Sequence, residues 1–304
     1  MMSEHFIPSL VSVVIPTFNQ ADYLSEALTC VRRQTYTNWE AIVVNNNSTD
    51  HTISAVESLK DPRIRLVNFA NHGIIARSRN LGIKESRGEF IAFLDSDDLW
   101  EEEKLTRCVD ALRRGTDLVC HAERWFGGGS PDRIVKYGPS TRATYEALLT
   151  KGNCISTSAV VARHDVINAL KGFRDKPEFV TTEDYDLWLR IAQHGYRIDF
   201  VDEVLGSFRR HSLSASSSTL RHLDAELAVL ADHFKGASEG IRRHERKRTA
   251  FAYYAAARGF SKGTDILRAL QMFGIAIRLS PASFRTWVGL FVHVVRIPSR
   301  MLKK

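Results

Sequence analysis

The run Asp-Ser-Asp-Asp at residues 95–98, hereafter the acidic run, directly follows the apolar stretch at residues 90–94. The apolar stretch is typical of a buried β-strand, so the carboxylates would lie where that strand ends. Carboxylates this close repel one another, and a divalent cation offsets the repulsion. Because such cations commonly bridge to phosphate groups, the pattern indicates an enzyme that handles an activated, phosphate-bearing substrate at a sheet edge.

The apolar pattern predicts alternating strands and helices, and these elements would position the carboxylates. In the first hundred residues the apolar pattern predicts strands at 11–16, 40–44, 64–67 and 89–94, and helices at 21–33, 51–60 and 73–86. Farther along, it predicts helices at 101–113, 163–170 and 183–194, and strands at 117–121, 157–161, 196–201 and 204–208. This alternation is typical of an α/β protein with a mostly parallel central sheet and helices on both faces.

Polar residues collect after three of the predicted strands. They are Thr17-Phe18-Asn19, the segment from Asn45 to Asp50, and the acidic run. Each segment alone is explained by a turn or a helix cap. In a doubly wound sheet, however, the C-terminal ends of the strands line one crevice, so three such segments together predict a ligand site there.

The composition is that of a globular protein, with 44% hydrophobic and 25% charged residues in a chain of 304. We predict a catalytic domain at residues 1–214, with a nucleotide-binding half at 1–100 and an acceptor half at 101–214. A basic helical extension at 215–304 would follow a Ser-rich linker at 212–219. The extension contains 16 Lys and Arg against 6 Asp and Glu, in a chain whose net charge is +7.

Six segments match, in order, the motifs of a known family. Residues 11–19 resemble its first nucleotide-binding strand, residues 45–50 its Asp-Asp-Gly-Ser-Thr-Asp segment, and residues 76–82 its Ala-Arg-Asn-x-Gly helix. Asp95-Ser96-Asp97 resembles its Asp-x-Asp motif, residues 183–190 its Glu-Asp segment, and residues 209–211 its Arg-x-His element. Over about residues 10–215 the chain therefore resembles the family 2 glycosyltransferases of the GT-A fold, a Rossmann-like fold with a mostly parallel sheet.

The resemblance implies a nucleoside-diphosphate sugar as donor, a divalent metal (Mn²⁺ or Mg²⁺), and inversion at the anomeric carbon. It implies that Asp97 holds the metal and that His211 completes the metal shell or contacts the diphosphate, with a surface histidine as the alternative for His211. Asp95 would hydrogen-bond the ribose of the donor. The residues expected to bind the donor are Pro16, Thr17, Phe18, Asn19, Asn45, Asn46, Arg79, Asp95 and Ser96.

Inversion by direct displacement needs a base that accepts the proton of the attacking hydroxyl. By resemblance that base is Asp184. Asp186 is close in sequence, but residues two apart on a helix point about 200° apart, so both cannot face one site. For Glu183, an acid that favours the N-terminus of a helix remains an alternative to a site role.

Asn45-Asn46-Asn47 departs from the family pattern, in which an acidic residue at the second position would accept the uracil N3–H. Asn46 can accept through its carbonyl and can also donate through its amide. We take a UDP-sugar as the first candidate donor, with thymine and guanine nucleotides as alternatives. Arg79 is predicted to contact the nucleotide or diphosphate, and Arg77, which should diverge from it, is predicted to be solvated.

The end of the basic extension is amphipathic. Residues 282–304 combine apolar and aromatic side chains at helical spacing with a cationic end. Two interpretations stay open: an interfacial helix on an anionic membrane, or a helix packed on the catalytic domain or on a second copy of the chain. Nucleic acid is not an expected partner, because no recognised nucleic-acid-binding motif accompanies the positive charge of the extension.

The expected location is the cytoplasm, and a location at the inner face of the cytoplasmic membrane stays open. Cys30, Cys108, Cys120 and Cys154 have no metal-like spacing and are expected to be reduced thiols. The first seven residues do not resemble a signal peptide, and no apolar run reaches the roughly 20 residues of a spanning helix.

The leading hypothesis is an inverting, metal-dependent glycosyltransferase that uses a glycan or lipid-linked acceptor in building a cell-envelope polysaccharide. One alternative is a non-catalytic sugar-nucleotide-binding or scaffold protein with a decayed site. Another is a nucleotidyltransferase, although the Gly-rich phosphate loop usual in that class does not follow Pro16.

Overall fold

The computed structural model describes residues 6–129, 131–211, 218–262 and 265–295. The chain forms two compact units: unit 1 comprises Met1–Leu148 and Asn153–Ser214, and unit 2 comprises Leu149–Gly152 and Ala215–Lys304. The predicted linker at 212–219 falls outside the described residues, except for Ser218 and Thr219 at the start of unit 2's first long helix.

Nine strands and seven helices precede residue 212 in the described part of the chain. The strands are β1 Ile7–Thr17, β2 Trp39–Asn45, β3 Ile64–Asn68, β4 Gly88–Phe93, β5 Leu99–Trp100, β6 Leu118–Gly127, β7 Arg133–Val135, β8 Val160–Arg163 and β9 Ile198–Arg210. The helices are α1 Ala21–Arg32, α2 Thr52–Ser58, α3 Ile75–Glu85, α4 Lys104–Arg113, α5 Tyr145–Lys151, α6 His164–Ala169 and α7 Glu183–Gln193. Short 3₁₀ turns occur at Ser140–Arg142, Thr157–Ala159 and Pro177–Phe179.

One sheet joins all nine strands, in the order β3-β2-β1-β4-β8-β6-β9-β5, with β7 beside β6. The first four strands in this order are parallel. Farther on the sheet is mixed, because β8 runs antiparallel to both β4 and β6, while β6 and β9 are parallel. The predicted α/β class is confirmed. The strands β1 to β4 all lie within residues 1–100, whose role as the nucleotide-binding half stays a prediction.

Helices cover both faces of the parallel strands. Val11, Val13 and Ile15 point toward α1 and α4, whose apolar side chains complete a fully buried cluster. On the opposite face, α3 approaches β1 so closely that a Cβ on Gly82 would lie 2.4 Å from a methyl group of Val14. Glycine at this position therefore allows α3 to pack against the sheet. This packing positions Arg79, which lies one turn earlier in α3.

Several elements differ from the predicted pattern. The strands predicted at 196–201 and 204–208 are one strand, β9, because the exposed Asp202 and Glu203 form a bulge opposite the step from His121 to Ala122. The strand predicted at 157–161 begins with the 3₁₀ turn Thr157–Ala159 before β8. Two short strands, β5 and β7, and helix α5 were not predicted, since two or three residues carry too little periodicity to identify a strand.

Unit 2 is helical in its described residues, as the sequence predicted for the extension. Its helices are α8 Thr219–Gly236, α9 Glu239–Arg242, α10 Glu245–Lys262, α11 Ile266–Leu279 and α12 Phe284–Val295. Helix α10 packs against α8, α11 and α12. None of the helices in the described residues combines the length and the apolar character needed to cross a bilayer.

Candidate active site

The C-terminal ends of β2, β1 and β4 lie side by side, and the three polar segments begin there. Thr17 at the end of β1 is in register with Asn45 at the end of β2. On the other side of β1, the Leu94 amide donates to the Val14 carbonyl, so the acidic run starts at the same edge. The predicted convergence of the three segments is therefore confirmed.

Hydrogen bonds tie the segment after β1 to the segment after β2. The Asn46 amide donates to the Thr17 carbonyl at 2.9 Å. Asn19 adopts a left-handed backbone conformation (φ 49°), in which its Oδ1 accepts the Thr49 amide at 2.8 Å and its own amide donates to Ser48 Oγ at 2.9 Å. Asparagine tolerates this conformation better than most residues, so Asn19 is suited to join the segments that follow β1 and β2. Phe18, by contrast, is 54% exposed at this edge.

The first two residues of the Asn run are already engaged with the protein. Asn45 is fully buried, donates to Asn68 Oδ1 at 2.8 Å and accepts the Ser48 amide. Asn46 Oδ1 accepts the Asn71 amide at 2.9 Å. The side chain of Asn45 thus stabilises the loop, and Asn46 is oriented by the chain beyond β3. Their contact with a nucleotide stays a prediction.

Each residue of the acidic run has a different partner. Asp95 accepts from Arg79, and Ser96 Oγ donates to Gln20 Oε1 at 2.6 Å. Asp97 pairs with His211, as described below. Asp98 is fully buried and accepts from Ser158 Oγ at 2.6 Å. The four side chains therefore bind partners on separate elements. This separation relieves part of the repulsion between the three carboxylates.

Asp97 and His211 are the two predicted metal contacts, and the fold brings them together. His211 Nε2 lies 2.7 Å from Asp97 Oδ2, although the residues are 114 positions apart. Burial and the neighbouring Asp95 carboxylate raise the pKa of Asp97, while His211 opposes this shift. His211 also packs against the ring of Tyr23, with 5.3 Å between ring centroids.

This pair fits a divalent cation. A partly buried carboxylate crowded by a second one is the setting that a cation stabilises, and carboxylate oxygens suit Mn²⁺ and Mg²⁺. A neutral imidazole such as that of His211 is a common metal ligand in proteins. In the described part of the chain no group of three acidic, histidine or cysteine side chains forms a complete metal cage. A cation held by Asp97 and His211 would therefore need substrate phosphate oxygens and water to complete its shell.

Hydrogen bonds of Arg209 connect the end of β9 to the acidic run. Its amide donates to Asp98 Oδ1 at 2.8 Å, and its Nε donates to the Asp97 carbonyl at 2.9 Å. The guanidinium also binds Glu26 and lies over the ring of Tyr23. Because Arg209 is two residues before His211, these contacts place His211 next to Asp97.

Arg79 connects the acidic run to helix α7. Its side chain is 4% exposed, and its two terminal nitrogens bind Asp95 Oδ1 at 2.7 Å and Glu183 Oε1 at 2.5 Å. Asp95 and Glu183 raise the pKa of Arg79 despite its burial, so the guanidinium is charged. Glu183 is thus more than an acid at the start of a helix. The predicted contact of Arg79 with a nucleotide remains untested, and its observed partners are the two carboxylates.

Replacing Arg79 with Met is expected to lower the free energy of unfolding by about 2–3 kcal/mol, measured by urea denaturation. Breaking a fully buried ion pair costs about 3–5 kcal/mol. The cost is smaller here, because the Asp95 side chain is 30% exposed and can be hydrated. Glu183 is only 5% exposed, but burial raises its pKa, so the unpaired carboxyl group can take up a proton. Arg77→Met on the same helix is the matched control. It removes only an exposed ion pair with Asp175 and should cost about 0–1 kcal/mol. Equal losses in the two variants would contradict the bridging role of Arg79.

Asp184 and Asp186 diverge, as helical geometry requires. Asp184, in the first turn of α7, accepts from Thr157 Oγ1 at 2.8 Å. Asp186 is fully buried and binds Arg174 and Arg190. The carboxylate of Asp186 is therefore structural, which leaves Asp184 as the carboxylate of this pair available to the site. Its role as the base stays a prediction.

The sequence did not predict the contacts of three consecutive hydroxyls, Ser156, Thr157 and Ser158. Ser156 donates to Glu123, Thr157 donates to Asp184, and Ser158 donates to Asp98. We call these residues the hydroxyl segment. It joins the acidic run to the start of α7. The run Ser-Thr-Ser is visible in the sequence, but each hydroxyl lies 27 to 60 residues from the acid that it binds, so these acids could not be identified from spacing.

The buried side chain of Lys104 supports the backbone of the hydroxyl segment. Its Nζ donates to the Ser158 carbonyl at 3.3 Å and lies 3.2 Å from the centroid of the Trp100 ring. Burial lowers its pKa to about 7. Trp100 Nε1 donates to the same carbonyl at 2.8 Å. Two donors on one carbonyl hold the backbone of the segment in place.

Comparison with known proteins identifies the family. The glycosyl transferase family 2 model matches residues 12–169, which is more than half of the chain. The chain belongs to glycosyl transferase family 2. The predicted family is thus confirmed, and the protein is a glycosyltransferase. Its relatives in Escherichia coli include UDP-Glc:alpha-D-GlcNAc-diphosphoundecaprenol beta-1,3-glucosyltransferase WfgD, which is 30% identical over 73% of this chain and 86% of the relative.

One further relative and two solved structures are also similar to this chain. The putative teichuronic acid biosynthesis glycosyltransferase TuaG of Bacillus subtilis is 27% identical over 69% of this chain and 82% of the relative. Among solved structures, S. aureus TarS 1–349 in complex with UDP-GlcNAc has a TM-score of 0.65 at 19% identity and covers 88% of this chain and 81% of its own. The mannosyltransferase PcManGT from Pyrobaculum calidifontis, in complex with GDP-Man and Mn²⁺, has a TM-score of 0.61 at 21% identity, with 94% and 86% covered. These structures confirm the GT-A fold.

Proposed function

We propose that this glycosyltransferase moves a sugar from a UDP-sugar to a hydroxyl of a lipid-linked glycan, with inversion at the anomeric carbon. We assign the reaction to residues 1–214 and treat residues 215–304 as a helical extension. The observation that carries the proposal is the hydroxyl segment. It hydrogen-bonds Asp98, next to the proposed metal contact, and Asp184, the proposed base, from adjacent residues. The donor and acceptor functions therefore belong to one connected site.

On the donor side, the polar segments that follow β1 and β2 would bind the nucleoside, and Asp95 would hydrogen-bond its ribose. Arg79 binds Asp95 Oδ1 at 2.7 Å and fixes the orientation of its carboxylate. Asp97 and His211 would hold a Mn²⁺ or Mg²⁺ ion beside the diphosphate. When bound, such an ion offsets the negative charge that grows on the departing UDP.

On the acceptor side, Asp184 would take the proton of the attacking hydroxyl. The acceptor oxygen forms a bond to the anomeric carbon while the bond from that carbon to the UDP oxygen breaks, and the proton moves to Asp184. Thr157 donates to Asp184 Oδ2 and so orients the carboxyl group. Asp186 cannot replace it, because its carboxylate is held by Arg174 and Arg190.

Two relatives support the choice of donor and acceptor. WfgD and WfaP of Escherichia coli are both named as UDP-Glc:alpha-D-GlcNAc-diphosphoundecaprenol beta-1,3-glucosyltransferases, and WfaP is 28% identical over 81% of this chain. A lipid-linked acceptor resides in a membrane, and a sugar nucleotide diffuses in water. We therefore propose that the enzyme works at the cytoplasmic face of a membrane and contributes to a cell-envelope polysaccharide.

A thermal-shift screen followed by a transfer assay tests the proposal. UDP with Mn²⁺ or Mg²⁺ should raise the melting temperature by about 5 °C at 100 times its dissociation constant, and GDP, dTDP and CDP should raise it less. UDP-glucose and a GlcNAc-diphospho-lipid acceptor should then give a disaccharide product, identified by mass and by NMR of the new anomeric centre.

The two assays separate the remaining alternatives. Stronger stabilisation by GDP or dTDP would overturn the choice of uridine, while leaving the reaction class in place. Stabilisation by UDP without transfer from a panel of UDP-sugars and lipid-linked acceptors would favour the non-catalytic binding protein. Retention of anomeric configuration would contradict the single displacement with Asp184 as base.

A further inference from the structure

Helix α12 has its apolar side outward. The residues on its outer face, within about 40° of one direction on the helix, are Phe284, Val288, Phe291 and Val295, with Trp287 and Val294 on the flank. Phe284 is 81% exposed, Phe291 69% and Val295 59%. The residues turned toward the protein are instead Thr286, Gly289 and His293. A helix of a water-soluble bundle normally shows the opposite arrangement.

Helix α11 in the same unit shows the usual arrangement. Its buried residues are Ala269, Met272, Phe273 and Ala276. Its exposed side carries Arg268, Gln271 and Arg278 together with Leu267 and Gly274. The outward apolar face is therefore a property of α12 and not of unit 2 in general.

Close packing fixes the orientation of α12. A Cβ on Gly289 would lie 2.8 Å from the ring of Tyr254 in α10 and 3.1 Å from the ring of Phe273 in α11. The ring of His293 lies 5.9 Å from that of Phe273. Glycine is required at this contact, so rotation of α12 to bury Phe284 and Phe291 would place larger side chains against α10 and α11.

Charge distinguishes between the occupants that could cover the outer face. From residue 266 to residue 304 the sequence contains seven Lys or Arg and no Asp or Glu. Arg285, which is exposed, neighbours the outer face on α12. A symmetric dimer through this face would bring two such basic segments together, which is unfavourable. An anionic lipid surface would instead attract them, and aromatic residues such as Trp287 and Phe291 suit the interface between headgroups and acyl chains.

We propose that the outer face of α12 binds the surface of an anionic lipid bilayer, with Phe284, Phe291 and Val295 entering the interfacial region. The helix lies along the surface, because its opposite side is packed against α10 and α11. This inference concerns unit 2 and is tested by lipid binding, so it stands or falls independently of the proposed transfer reaction.

The test is co-sedimentation of the full chain with vesicles. Wild-type protein should bind vesicles of phosphatidylglycerol and phosphatidylcholine, bind vesicles of phosphatidylcholine alone much less, and dissociate in part at high salt. The double substitution Phe284→Ser and Phe291→Ser should lower the partition coefficient by at least about tenfold, since each buried Phe contributes about that factor or more. Both side chains are exposed, so the fold should persist, which circular dichroism and thermal unfolding can verify.

Ile134→Ser provides the matched control, because it removes a side chain 62% exposed on β7 in unit 1. This variant should bind vesicles like the wild type. Equal binding of the double variant and the wild type would overturn the proposal, as would the absence of wild-type binding to anionic vesicles. A wild-type dimer in light scattering that the double variant abolishes, without any lipid binding, would assign the face to a second copy of the chain.

Discussion

Asp184→Asn is expected to lower the turnover number by about 10³–10⁴-fold, near the upper end of what a general base contributes, and to leave the affinity for UDP unchanged. The amide has almost the same shape as the carboxylate, and its carbonyl can still accept from Thr157 Oγ1, which now lies 2.8 Å from Asp184 Oδ2. What is lost is the ability to take a proton. Turnover is measured with saturating donor and acceptor, and UDP affinity by calorimetry.

Asp175→Asn is the control for this prediction, because the Asp175 side chain is 55% exposed and pairs only with the partly exposed Arg77 among the contacts described for it. That variant should retain wild-type turnover. If Asp184→Asn transferred sugar at the wild-type rate, the base would have to be another group. A parallel loss of UDP affinity would instead indicate that Asp184 shapes the donor site and does not act only on the acceptor.

The sequence predicted those parts of the site that depend on local pattern. Strand ends are marked by apolar runs, and adjacent parallel strands bring their ends to one edge, so the meeting of Thr17, Asn45 and Asp95 followed from topology. The divergence of Asp184 and Asp186 followed from helical geometry alone. The pairing of Asp97 with His211 was available only through resemblance, because no local pattern relates residues 114 positions apart.

The support around the site could not be predicted, because it depends on tertiary packing. The contact of Arg79 with the nucleotide or diphosphate stays a prediction, and its burial between Asp95 and Glu183 was not predicted. The mixed half of the sheet places β8 between β4 and β6, and this position delivers the hydroxyl segment to Asp98 and Asp184. Amphipathic patterning identified α12 as a helix, but only packing through Gly289 shows that its apolar side is outward.

Asp97→Asn is the second change with a large expected effect. It should lower transfer by about 10³-fold, the equivalent of several kcal/mol of charge stabilisation by a metal ion. The carbonyl of the introduced amide can still accept a hydrogen bond from His211 Nε2, now 2.7 Å from Asp97 Oδ2, so the local structure should persist. The measurement that isolates the metal is the affinity for UDP with Mn²⁺ and after chelation by EDTA. Wild-type protein should bind UDP more tightly with Mn²⁺, and the variant should bind it equally weakly in both conditions.

The surface pair of Asp22 and His51 offers a close control for this experiment. His51 Nε2 lies 3.1 Å from Asp22 Oδ1, but the two side chains are 61% and 88% exposed, so they are hydrated without a cation. Asp22→Asn should therefore keep both the transfer rate and the Mn²⁺ dependence of UDP binding. Treatment of the wild type with EDTA should reproduce the Asp97→Asn phenotype. A variant at position 97 that still bound UDP more tightly with Mn²⁺ would place the metal elsewhere, and a wild type indifferent to EDTA would contradict the proposed metal dependence of transfer.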